Sequence, residues 1–126
     1  MSKVLGRLVG TLLAASTMLA VAGCDSPTGG MHGFKVSDAN ARGCEVLLTE
    51  GTAKIDKVVF DDSVVGTFVR EAPRVAVTFV SAQGGAIGTG AVKLTVVGDA
   101  GQVQVKKVSC VGPKAEPLSG ASVSLD

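Results

Sequence analysis

RVAVTFVS, residues Arg74 to Ser81, places Val75, Val77 and Phe79 on one side of an extended chain and Ala76, Thr78 and Val80 on the other. Branching at Cβ crowds a helical turn and suits a pleated surface. Both sides are fairly apolar, which predicts a central strand. VKLTV (Val92 to Val96) alternates Val92, Leu94 and Val96 with Lys93 and Thr95, the pattern of a half-buried strand with a wet side. After the turn Gly98-Asp99-Ala100-Gly101, the chain returns as QVQVKKVSCV, Gln102 to Val111. Its parity slips: Val103 and Val105 point one way, while Val108 and Cys110 fall on the other. One extra residue at Lys106-Lys107 restores a single inward face, so a β-bulge with two solvated charges accounts for the lysine pair better than an anion site.

Four more segments read as strands: CEVLLT (Cys44 to Thr49), KIDKVVF (Lys54 to Phe60), VVGTFVR (Val64 to Arg70) and the short ASVSL (Ala121 to Leu125). Asp61-Asp62-Ser63 and Glu71-Ala72-Pro73 are compact connections built of turn formers. Six or seven short strands at close spacing predict an all-β fold, a small antiparallel β-sandwich over residues 34–126. The helix signal downstream is limited to one capped turn in SDANAR, Ser37 to Arg42.

Ahead of this domain, Lys3 and Arg7 supply a positive region, and Leu8 to Ala22 are mainly apolar with small residues interspersed. That layout is a secretory signal peptide, and it is shorter than the roughly 20 apolar residues a membrane-spanning helix needs. Val21-Ala22-Gly23-Cys24 resembles the bacterial lipobox, an aliphatic residue and two small residues before cysteine. The resemblance covers residues 1–24. It implies a bacterial lipoprotein: cleavage after Gly23, a diacylglycerol thioether on Cys24, acylation (palmitate or similar) of the new N-terminus, and anchorage in a membrane facing the periplasm or cell surface. Asp25 resembles the inner-membrane retention residue of enteric lipoproteins. Ala20-Val21-Ala22 also fits ordinary secretory cleavage, which would leave Cys24 as an odd thiol. Residues 24–33 (Cys24, then DSPTGGMHG) have the composition of a flexible linker.

The sequence holds three cysteines. With Cys24 used for lipid, Cys44 and Cys110 are an even pair in an oxidising compartment and are expected to form a disulfide. Their separation and the strand count resemble an immunoglobulin-like sandwich, whose bridge joins two sheets; the tryptophan and tyrosine typical of that fold are missing. With antiparallel strands, the tether would enter beside Cys44. The turns at Glu50–Ala53, Arg70–Arg74 and Gly98–Gly101 would then lie at the far end, making Arg70, Glu71 and Arg74 candidates for partner contact.

Taking Lys3 and Arg7 from the twelve basic residues leaves ten against eleven acidic ones, with no basic stripe and few aromatics. This is not the footprint of a nucleic-acid-binding protein. The single histidine, His32, falls in the expected linker, which lacks the rigid frame that a catalytic base requires. Zinc-ligand spacing is absent, Met31-His32 supplies too few soft ligands, and no metal or other cofactor is expected. Asp61-Asp62 reads as a charged turn rather than a catalytic pair or a calcium site. QGGAIGTG (Gln83 to Gly90) matches neither a P-loop nor G-x-G-x-x-G. The expectation is therefore a lipid-anchored, non-enzymatic binding or assembly module of the cell envelope with an envelope protein as partner. The competing classes are a small-ligand carrier and a small envelope hydrolase.

Overall fold

Valine-rich alternation becomes nine strands in the computed structural model, which describes residues 30–126. They are β1 (Gly30–Val36), β2 (Gly43–Thr49), β3 (Lys54–Phe60), β4 (Val64–Glu71), β5 (Arg74–Ser81), β6 (Val92–Val97), β7 (Gln104–Val111), β8 (Pro117–Leu118) and β9 (Val123–Leu125). The leader, Cys24 and the first part of the expected linker lie outside the described residues. Sheet I has the order β8-β7-β2-β5-β4 and sheet II the order β9-β1-β6-β3. Every neighbouring pair is antiparallel. The small β-sandwich read from the sequence is the fold.

The inward sides supply the core. Val46 and Leu48 of β2, Val75, Val77 and Phe79 of β5, and Ile55, Leu94 and Val96 from sheet II are essentially water-free. Each such side chain contributes about 1.5–3 kcal/mol by leaving water. Phe34 of β1 meets Phe79 across the sheets, ring centroids 5.9 Å apart and tilted by 46°. At the lysine pair the register shifts between Leu47 and Leu48: Lys107 lies opposite Leu47 and Val105 opposite Leu48, so Lys106 is the extra residue. The expected bulge is present. A second one, at Asp56 of β3, keeps Ile55 and Val58 both inward, and the sequence reading passed over it.

Three sequence expectations change. First, the described residues hold nine strands, because β1 and β8 were read as connections. GMHG looks like linker, yet Gly30 to Gly33 pair with Val96 to Lys93 of β6, and Phe34 is fully buried. Residues 30–33, expected as linker, therefore belong to the sandwich. Second, Cys44 and Cys110 are bonded as expected, but they face one another on adjacent strands β2 and β7 of the same sheet, with Cα atoms 4.1 Å apart. An immunoglobulin bridge joins two sheets; this one staples a single sheet. Third, β1 enters the molecule at Gly30, opposite Val96 and close to Ile55, which also pairs with Val96. That is the end carrying the Glu50–Ala53, Glu71–Arg74 and Gly98–Gly101 turns, the reverse of the expected placement. One overlooked strand inverts the point of entry, because each antiparallel strand reverses the chain direction.

Candidate functional site

Among the described residues, the two sheets cover only one another's inner sides. β5 is interior to sheet I, between β2 and β4, but its second apolar side faces outward. Cross-strand partners share a side, so the register lays out that surface in rows. One row runs Val65, Val80, Gly43, Val111; the next Thr67, Thr78, Glu45, Ser109; the third Val69, Ala76, Leu47, Lys107. Val65 is 63% exposed, Val69 61% and Val80 48%. The outer side of sheet II differs, because Lys35, Lys57 and Lys93 interrupt it. Sheet II exposes Val59 and Val97, each 42%, beside these lysines, whereas on sheet I the exposed valines Val65, Val69, Val80 and Val111 form the larger apolar surface.

Small residues shape this surface. At Gly43 an added Cβ would lie 3.0 Å from Val80 Cγ1 and 3.6 Å from Val111 Cγ2, so the missing side chain leaves a dip between the two valines. Shallow depressions run along the same side: Glu45, Leu47, Ala76, Lys107 and Ser109 line one, and Leu47, Val69, Glu71, Arg74 and Ala76 line the next.

Of the three residues singled out in the sequence, the structure brings two to this surface. Glu71 and Arg74 are partners across the β4–β5 hairpin and rim the second depression. Arg70 has the opposite parity and turns inward. Its Nε donates to Glu50 Oε2 at 2.8 Å and its Nη2 to Glu50 Oε1 at 3.0 Å. The Glu50 side chain, 2% exposed, also accepts the Ile55 N–H at 2.6 Å. The Arg70 hydrogen bonds, helped by the Ile55 amide and nearby positive charge, outweigh desolvation and hold the Glu50 carboxyl below its ordinary value. The ion pair closes the bottom of the sandwich. Sequence reasoning missed Glu50, because an acid before a glycine turn looks like any solvated loop residue.

The remaining candidates have local duties. Asp61 accepts the Ser63 N–H at 2.8 Å and its hydroxyl, forming the corner between β3 and β4 and lowering the Asp61 carboxyl. Asp62 stands exposed beside it. In the glycine-rich loop, Gly90 N–H donates to the Phe34 carbonyl and Ala91 N–H to the Gly88 carbonyl; these amides do not converge on an anion. His32 lies in β1, not in a linker, and its Nδ1–H donates to the Asp126 carbonyl at 3.1 Å. Among the described residues no three His, Cys, Asp or Glu side chains gather as a metal site, and no helix is long and apolar enough to cross a membrane. No protein-family model matches this chain, and no curated protein matches it in sequence.

Proposed function

We propose that this chain is a bacterial lipoprotein acting as a non-catalytic binding or assembly module of the cell envelope, docking a polypeptide on the outer side of sheet I. The observation that carries the docking is the exposed valine surface with its central dip at Gly43. The lipobox-like VAGC supports the anchor, as does the cysteine inventory: Cys44 and Cys110 consume one another, leaving Cys24 for lipid. Each methylene placed in the bilayer contributes about 0.8 kcal/mol, so two or three acyl chains hold a protein with no helix in the membrane.

The anchor sets an orientation. Residues 25–29 span at most roughly 18 Å at about 3.5 Å each. With Cys24 in the bilayer, the end bearing Glu50, Arg70 and Glu71–Arg74 faces the lipid headgroups. The corner at Asp61–Ser63 and the Ala82–Ala91 loop face away, and the valine surface stands upright between the two ends. Partner contact thus moves from the Arg70–Arg74 turn to the open side of sheet I.

Intact mass of the mature N-terminus tests the anchor: acyl mass on Cys24 is expected, and a free thiol there sinks it. Crosslinking through a photoreactive residue at Thr78, in the middle of the valine surface, tests the docking. A discrete protein adduct is expected, whereas uniform labelling by lipid or solvent counts against it.

A further inference from the structure

Among the described residues the sandwich has four sheet edges, and three are blunted. β8 and β9 are two and three residues long, and β3 carries Lys54, Asp56, Lys57 and a bulge. These are the devices by which proteins discourage edge pairing. The fourth edge, β4, is eight residues long and unbulged, has neither proline nor lysine in VVGTFVRE, and carries its charges, Arg70 and Glu71, only at its last two positions. We propose that two copies of this chain pair antiparallel through β4, with Thr67 opposite Thr67 of the second copy, to form one continuous ten-stranded sheet.

The backbone supports that register. The Ser81 N–H points away from β4, donating to the Arg42 carbonyl at 2.7 Å, while the Ala82 N–H donates to the Ser63 carbonyl at 2.8 Å. Alternation along β5 then gives the inner ladder to Val65, Thr67 and Val69. Gly66, Phe68 and Arg70 turn their N–H and C=O groups to the open edge. With the dyad at Thr67, Gly66 of each copy faces Phe68 of the other, so the groups that exchange hydrogen bonds are those left free. Val65 then covers Val69 of the second copy, uniting the two most exposed valines of the strand. A shift of two residues would match Thr67 with Val69 and lose that pairing.

Charge does not oppose this arrangement: continued in this register, antiparallel pairing lays Asp61 and Asp62 of one copy beside Ala72 and Pro73 of the other, between Glu71 and Arg74, which are partners across the hairpin. The surface is isologous and closes after two copies.

Antiparallel pairing sets the Gly30 ends of the two copies at opposite ends of the joined sheet, so this dimer and the upright orientation of both copies on one membrane exclude one another; finding the dimer would overturn that orientation but not the acylation of Cys24. The test of the dimer is the mass of the full chain, purified in mild detergent, by sedimentation velocity, together with T67C under mild oxidation. A dimer is expected, and T67C should cross-link to itself because opposite residues in an antiparallel pair lie within disulfide reach. The wild type, with the same Cys24, supplies the baseline. T67K sets like charges directly opposite and should yield a monomer that keeps the wild-type far-UV circular dichroism spectrum, while T78K, one strand inward on the same row, should stay dimeric. A monomeric wild type with no T67C product overturns the proposal. So does a T67C adduct to a different protein, which would make β4 an edge for a foreign strand.

Discussion

The Glu50 carboxylate and the Arg70 guanidinium meet in a two-point contact at the base of the sandwich, 2.8 and 3.0 Å, while Glu50 also receives the Ile55 N–H. One side chain thereby ties the turn after β2 to the end of β4 and the start of β3. Hydrogen bonds to a charged buried group contribute about 1.5–3 kcal/mol. Glu50→Gln should lower stability by about that amount, read as the urea midpoint at neutral pH.

The same pair sets an acid response. The Glu50 carboxyl is held below its ordinary value of 4.5, mainly by the Arg70 hydrogen bonds. A depressed folded-state value contributes stability that is complete above 4.5 and is lost as pH falls through the lower folded value. The urea midpoint of the wild type should therefore drop more between about pH 7 and about pH 3 than that of Glu50→Gln. Equal drops would show that Glu50 is not the group responsible.

The Cys44–Cys110 bridge spans 66 positions of sequence yet lies within one sheet. Closing a loop of that length stabilises by about 4 kcal/mol in the chain-entropy model. The paired substitution Cys44→Ala, Cys110→Ala should keep the register of β2 and β7, because Val46–Val108 and the rest of the ladder remain. It should nevertheless cost most of that stability, and reducing agent should do the same to the wild type. Alkylation of the denatured, unreduced chain should modify neither residue.

Lys106 is the extra residue that keeps Val103 and Val105 inward together with Val108 and Cys110. Replacing it with serine should leave the melting temperature nearly unchanged. Deleting it should be far more harmful, since a one-residue slip turns Val103 and Val105 to solvent. Thermal unfolding of the two variants separates the role of the position from that of the charge.

Gly66 lies under the ring of Phe60, where β3 and β4 turn from one sheet to the other. A methyl group there would overlap the ring, with Phe60 Cδ1 only 2.6 Å away. Gly66→Ala should cost about 1–3 kcal/mol through overpacking. Adding Phe60→Leu should return part of that loss in the same thermal assay. If the double variant is no better than the single one, the contact is not the cause.

The strands of the body, the bulge at Lys106 and the disulfide were legible in the sequence, because each leaves a trace in local order: alternation, a parity slip and an even cysteine pair. β1 was not legible, since a strand rich in glycine has the composition of a linker and only pairing with β6 makes it a strand. The valine surface was visible as apolarity on both sides of RVAVTFVS but was read as burial; periodicity reports which residues share a side, not what covers that side. The local chain thus determined that this would be a valine sheet protein with one bulge and one staple. Tertiary structure alone decided which sheet the staple lies in, at which end the chain enters, that Arg70 turns inward to Glu50, and that one apolar side stays open. All four depend on contacts between residues distant in sequence, and no local pattern encodes those.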